Sequence, residues 1–401
     1  MDVNLAQIII FGLLADYLFR KIRLPGLLGM LLVGILCGPY VFNILSQEFL
    51  AVSADMRLIA LIVILLRAGL KLRRDMLKRV GNTALLVSTI PALFEGVVVA
   101  VVAPILFDIT HLEGAIIGAI LAAVSPAVVV PFMLNLMQHG YGTRKGIPTM
   151  MLGASAVNDV FAIVIFSIFL GFYNGQGDSI AIKLLGIPES IILGILLGLI
   201  VGWLLNYFFT QFKPSTTKMT LAIIAISGLM IWLERVLADV VRVSALLAVM
   251  AVGFYLLEKC EERAHDISVT LSKVWVVAEI ILFTLVGAQV NIHVALDTGL
   301  LGVGLIAVGL LGRSISTWLC FSGTIFNKKE RLFCVVSYIP KATVQAAIGA
   351  VPLEAGIPGG EIILTIAVLS IIITAPLGAI GMAVTGKRWL EKEPDAKTVI
   401  M

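Results

Sequence analysis

Runs of about twenty apolar residues, the length that spans a bilayer, follow one another along this chain almost without pause. That succession constrains the fold more than any single motif. Of the 401 residues, 60% are hydrophobic and only 13% are charged. A soluble domain of average make-up carries roughly 45–50% apolar and 25% charged residues. Too few charges remain to cover a water-exposed surface, so a soluble globular protein is excluded. Disorder is excluded as well, because it needs low hydrophobicity and high charge. What remains is an all-α polytopic membrane protein, in which each span satisfies its own backbone polar groups.

Breaks at charged or Pro/Gly clusters give thirteen candidate spans, starting near Val3, Leu24, Asp55, Gly81, Leu112, Ile147, Ile187, Thr216, Val240, Leu271, Asp297, Arg331 and Gly360. The connections are short and hold no soluble domain. The opening Met1-Asp2-Val3-Asn4 lacks a basic n-region and a cleavage site, so it reads as the start of a first membrane helix. The four cysteines (Cys37, Cys260, Cys320, Cys334) share no metal-ligand spacing, and neither a disulfide nor a metal site is expected. Basic residues set the orientation. With the N-terminus outside, 22 Lys and Arg fall in inner connections, among them Lys71, Arg73, Arg74, Lys78 and Arg79. Four fall outside (Arg57, Lys183, Arg235, Arg242), and Arg67, Arg313 and Lys341 stay within spans. The chain is therefore expected to be N-out and C-in, with the cytoplasmic side in a bacterial inner (plasma) membrane.

Two spans are interrupted. The fifth carries Ser125-Pro126 and Pro131 near its middle, and the twelfth carries Pro340-Lys341. A kinked helix is the plain reading of one proline. Here, however, the two interrupted spans are seven apart and cross in opposite directions. Interrupted helices at matching places of two inverted repeats point to a transporter's midplane site. A cation is expected at the freed carbonyls near Ala127 and Val128, beside Ser125, and Lys341 is placed to neutralise exposed carbonyl ends.

Ionisable groups inside spans are costly and mark function. Asp159 lies mid-span among apolar residues, with no Lys or Arg within a turn or two. Such a group holds either a proton or a hard cation. Ser155, at i−4 on the same face, offers a second oxygen. Asn158 points elsewhere, and its amide suits a hydrogen bond to the broken backbone of span five. Glu95 and Arg313 would each be expensive alone, so they are expected to pair, as a structural tie or as part of transport. Glu279 either lines the cytoplasmic funnel or snorkels. Asp16 and Arg67 read as anchoring charges, and the four histidines (His111, His139, His265, His293) as solvated residues at loops or span ends.

At these residues the chain resembles the monovalent cation:proton antiporters, and within them the NHA-type sodium/proton antiporters. The match rests on Ile120-LAAVSPAVVVPFML-Leu134 and Gly140-YGTRKGIPT-Thr149, on Asn158-Asp159, and on Ile339-PKATVQAAIG-Gly349. The resemblance implies an NhaA/NapA-like fold and a homodimer. It implies a core domain over roughly 81–174 and 297–386, a dimerisation domain over 1–72 and 187–260, and a linking helix over 268–293. It further implies elevator-like motion of the core, an ion at Asp159 aided by Ser155 and span-five backbone, a core ion pair of Glu95 and Arg313, and a crossing-helix lysine at Lys341. Animal members of the branch carry two adjacent aspartates, where this chain has Asn158-Asp159. Asn-Asp pairs resemble those of electroneutral antiporters, and Arg313 does not readily release a proton.

The expectation is therefore an electroneutral antiporter, not an enzyme, that exchanges Na+ or Li+ for H+ at Asp159. It needs no cofactor, and no Walker-type phosphate loop is present. Electrogenic or K+/H+ exchange stays open as an alternative. A sodium-coupled organic-anion symporter needs a roomier polar cavity than the apolar surroundings of Asp159 provide. An intramembrane aspartyl protease needs a second mid-span aspartate, which is missing.

Overall fold

The computed structural model describes residues 2–22, 24–71, 81–174, 180–237 and 243–392, and most of these are helical. Arg73, Arg74, Lys78, Arg79, Arg242 and the expected span start at Val240 lie outside the described residues. The elements are α1 (Asp2–Lys21), α2 (Gly26–Cys37), α3 (Gln47–Ala51), α4 (Ser53–Lys71), α5 (Gly81–Leu106), α6 (His111–Leu121), α7 (Pro126–Gln138), α8 (Ile147–Asn174), α9 (Ile180–Phe212), α10 (Thr216–Leu237), α11 (Ala245–Lys259), α12 (Glu261–Ala288), α13 (Ile292–Cys320), α14 (Lys328–Ser337), α15 (Thr343–Gly349), α16 (Val351–Glu354) and α17 (Gly360–Trp389). Among the described residues, nine helical segments are long and apolar enough to cross a membrane. The pair α6–α7 forms one of them. The other four candidate spans fall on α2, α4, α11 and the broken pair α14–α15, which are shorter or carry more charge.

The helices pack in two groups. In one, α5 lies against α6, α8 and α13, while α17 lies against α6, α7, α13, α14 and α15. In the other, α12 lies against α1, α2, α4 and α10, and α11 against α4 and α9. Helix α8 touches α4, α9 and α11, and α15 touches α4 and α12, so these two helices face both groups. Lipid gives helices little hydrophobic reason to associate, and small residues let them approach until dispersion contacts hold them. At the α5–α6 crossing a Cβ on Gly118 would collide with the Gly96 carbonyl.

The two broken segments start alike. At α6, Thr110 Oγ1 accepts from Glu113 N (3.2 Å) and the Glu113 carboxylate accepts from Thr110 N (2.7 Å). At α14, Asn327 Oδ1 accepts from Glu330 N (2.9 Å) and Glu330 from Asn327 N (2.8 Å). These reciprocal bonds satisfy helix-end donors that otherwise lack partners. Each glutamate also reaches a residue just ahead of a long helix elsewhere in the chain. Glu113 accepts from Gly359 N (2.8 Å), just before α17, and Glu330 from Lys145 Nζ (2.8 Å), just before α8.

Glu330, and then Glu391 at 2.9 Å, hold the Lys145 ammonium above the ordinary lysine value of 10.5. A cation favoured by the folded state stabilises at all pH below its unfolded pKa and loses that contribution as pH rises through the folded one. Lys145→Met is therefore expected to lower the melting temperature by a constant amount through the neutral range, equivalent to about 1 kcal/mol at most. The gap to the parent should close in strongly alkaline buffer, where the ammonium loses its proton, and in acid strong enough to protonate the two carboxylates. Melting curves in detergent from neutral to alkaline pH check this, and a gap that closes within the neutral range would contradict the assignment.

Candidate functional site

The site is built where the two breaks meet. Helix α6 stops at Leu121, residues 122–125 leave the helix, and Pro126 opens α7 at its first position. Helix α14 stops at Ser337, and residues 338–342 are non-helical before α15. Ser125 N donates to Pro340 O (2.8 Å), so the two unwound backbones touch directly. Pro131, expected as a second point of interruption, lies inside α7 and does not end it. A proline in a helix removes one donor and need not stop the turn when neighbouring helices support it. Its position frees the carbonyl of Ala127, four residues earlier. The Val128 carbonyl stands opposite Phe132, which keeps its N–H, so of the two expected carbonyls only that of Ala127 is released by Pro131.

The carbonyls at the end of α6 can be accounted for one by one. In a continuous helix Ile120 O, Leu121 O and Ala122 O would accept from residues 124, 125 and 126. Val124 N instead donates to Asn158 Oδ1 (2.7 Å), Ser125 N goes to Pro340, and Pro126 has no N–H. Side chains from α13 and from the second break and α15 take their places. Gln345 Nε2 donates to Ile120 O and Ala123 O (both 2.9 Å), Lys341 Nζ to Leu121 O, and Arg313 to Ala122 O. Two cations thus sit at the negative end of the α6 dipole. The structure places the Lys341 ammonium at those carbonyl ends.

Those cations share one anion. Arg313 Nε donates to Glu95 Oε2, and Lys341 Nζ lies 2.7 Å from Glu95 Oε1. Glu95 and Lys341 have no exposed surface, and Arg313 is 1% exposed. The expected Glu95–Arg313 pair is present, with Lys341 as a third member that sequence reasoning did not place there. Lys341 N donates to Thr374 Oγ1 (2.9 Å), and Gln345 Oε1 accepts from Ala342 N (2.8 Å). Gln345 was missed too, although a glutamine in Ala342-Thr343-Val344-Gln345-Ala346-Ala347 is the kind of buried polar residue that must find partners.

The crossing leaves no room behind the second break. A Cβ on Gly378 would sit 2.6 Å from Pro340 Cδ and closer still to Cγ. The proline ring cannot swing aside, so Gly378→Ala should push the Pro340-Lys341 backbone and loosen the whole carbonyl arrangement. We expect a lower melting temperature together with a several-fold loss of ion flux. Flux and stability close to those of the parent would contradict it.

Helix α8 supplies the carboxylate. Asp159 is partly buried in its middle, Ser155 is buried one turn earlier, and Asn158 is fully buried between them and the break. Asn158 spends both ends of its amide, on Val124 N and on Ser88 O (2.8 Å), which ties α8 to the break and to α5. Ser155 Oγ donates to Leu152 O (3.0 Å) and keeps its lone pairs. Ser125 Oγ, on the break itself, is buried without a hydrogen-bond partner. Glu279 is elsewhere. It lies on α12 among the charges of Arg20, Asp16 and Arg67, in the other helix group. Asp16 pairs with Arg20 (2.8 Å), and Arg67 lies over the Trp275 ring at 5.2 Å. Arg57, read from sequence as an outer connection residue, is 4% exposed and donates to Glu354 Oε1 (2.7 Å) across the two groups.

Comparison with known proteins identifies the family. The family model described as "Sodium/hydrogen exchanger, transmembrane" matches residues 7–387. The chain is 34% identical over 382 residues to sodium/hydrogen exchanger 9B2 of Homo sapiens, covering 92% of this chain and 70% of that protein. It is 30% identical to human sodium/hydrogen exchanger 9B1, covering 94% and 74%. The structure of the sodium proton antiporter MjNhaP1 from Methanocaldococcus jannaschii at pH 8 superposes with a TM-score of 0.79 at 20% identity, covering 96% of this chain and 97% of that one, and shows the shared fold. The chain therefore belongs to the transmembrane sodium/hydrogen exchanger family, multi-pass membrane transporters rather than enzymes, which exchange Na+ and H+ without a cofactor.

Proposed function

We propose that this chain exchanges Na+ or Li+ for H+ one for one, with cation and proton competing for the Asp159 carboxylate. The observation that carries this reading is the double hydrogen bond of Asn158. An amide spent on the broken backbone neither titrates nor follows an ion, so Asp159 is the one carboxylate of the pair. Lys341, whose loss of a proton would add a charge to the cycle, pairs with Glu95 and the α6 carbonyl end. If one carboxylate carries either one Na+ or one H+, the loaded carrier has the same charge in both directions. Ser155, Ser125 and the carbonyl of Ala127 supply further oxygens, with Val128 lining the site and Asn158 positioning it. Oxygen ligands suit a hard cation.

In this reading the chain has thirteen spans and works as a homodimer in a cell's plasma membrane, N-terminus out and C-terminus in the cytoplasm. The core over 81–174 and 297–386 carries the ion as an elevator past the dimerisation domain over 1–72 and 187–260, joined by 268–293. The test is sodium-driven proton flux in proteoliposomes with the voltage clamped. Rates should not depend on voltage, and flux should reverse where the Na+ and H+ concentration ratios across the membrane are equal and run in the same direction. A reversal point displaced by voltage would overturn one-for-one exchange.

A further inference from the structure

Tyr338 stands at the C-terminal end of α14, two residues before the Pro340 carbonyl that meets Ser125. Its side chain has no exposed surface, and its hydroxyl has no hydrogen-bond partner. A buried hydroxyl left unpaired is expensive, and each such group asks for an explanation. Neighbouring hydroxyls show the usual solution. Ser337, Thr317 and Thr374 each donate to a carbonyl of their own helix one turn back. The phenol cannot do so, because its oxygen is carried at the far end of a rigid ring.

The ring is held in place. The Arg313 guanidinium lies over it at 5.8 Å, and Arg313 also donates to the Tyr338 carbonyl (3.5 Å). The triad that fixes Arg313 therefore fixes the phenol. The charges facing it are Arg313 from α13 and Asp159 from α8, with the thiols of Cys334 and Cys320 also nearby. The second unpartnered hydroxyl at the crossing is Ser125 Oγ, on the other break. One uncommitted oxygen is thus held at each break, and Asp159 acts electrostatically on the one at Tyr338.

We propose that Tyr338 is a specificity-determining residue, whose hydroxyl oxygen turns to the cation carried at Asp159 and helps set which monovalent cation is accepted. This rests on the reading of Asp159 as the carrier. The oxygen is supplied by a rigid side chain, so it cannot follow a smaller ion inward. Removing it penalises the cation that fills the cavity to that distance more than the one that does not.

The test is Tyr338→Phe, which keeps the ring and its contact with Arg313 and deletes only the oxygen. In proteoliposomes the apparent KM for Na+ should rise about 3- to 10-fold, the value of one lost polar contact. The ratio of Li+ to Na+ affinity should change, and the rate at saturating cation should stay close to that of the parent. Equal affinities and an unchanged ratio in a folded variant would overturn the proposal. So would a purely structural outcome, in which the melting temperature falls and both cations lose rate alike. If the variant does not fold, 3,5-difluorotyrosine at position 338 keeps the shape and withdraws electron density from the oxygen. It should weaken Na+ binding, and parent-like KM values there would equally overturn the proposal. Failure of the carrier reading has a different signature, namely exchange that survives Asp159→Asn.

Discussion

Asp159→Asn is expected to reduce sodium-driven proton flux to the level of empty liposomes while the protein stays folded. Asparagine has nearly the same volume, so α8 and its packing against α5, α6 and α7 should persist. What disappears is a charge and a proton site together. At about 4 Å and an effective dielectric near 20, one charge pair is worth about 4 kcal/mol, which corresponds to roughly a thousandfold in affinity. Neutral oxygens of Ser155 and Ala127 do not replace that. Thermal melting gives an independent reading. Added Na+ should raise the melting temperature of the parent, because binding to the folded state stabilises it, and should leave that of Asp159→Asn unmoved. Exchange that persists in the variant, or an Na+-dependent shift that persists with it, would remove Asp159 from the carrier role. Ser155→Ala, which removes one neutral ligand, should cost only a few-fold.

How much of this was legible beforehand depended on how expensive each group is in lipid. Glu95 and Arg313 could be matched from sequence because a lone charge in a span is too costly to tolerate. Their pairing followed from there being so few candidates. The bond from Asn158 to the broken backbone was legible for the same reason, since unwound N–H groups need acceptors. Lys341 was only half legible. Its place at the α6 carbonyls follows from the break, but its contact with Glu95 depends on how far α5 leans toward the crossing, which spacing does not report. Gln345 and Tyr338 were overlooked as polar groups in apolar runs. Thr110-x-x-Glu113 and Asn327-x-x-Glu330 are capping-box patterns open to reading from the sequence, and they mark the equivalent starts of the two broken segments. Arg57 was miscast because it falls near a span end, where charges are normally solvated. Its partner Glu354 is 297 residues away, beyond any local pattern. Glu279 shows the reverse. Its cost in the membrane is plain, but nothing local says that it belongs with Arg67 and Arg20 instead of with the ion.

The second large effect is expected from Glu95→Gln. The side chain keeps its shape, yet Arg313 and Lys341 lose their shared anion while remaining without solvent around them. Removing one partner of a buried ionic group costs about 3–5 kcal/mol, because the charge left behind has nothing to replace it. Here two charges are left behind, both also bound to carbonyls of the broken helix, so the damage should spread to Leu121 and Ala122. The melting temperature should fall by several degrees, and exchange should fall with it. A cycle separates this from simple loss of packing. Lys341→Met alone removes one cation and leaves Glu95 with Arg313, so it should be the milder change. Combining it with Glu95→Gln should cost less than the sum of the two, since the second change removes a charge that the first had stranded. Strict additivity would mean that Lys341 and Glu95 do not act as a pair, and that the α6 carbonyl end alone holds the lysine.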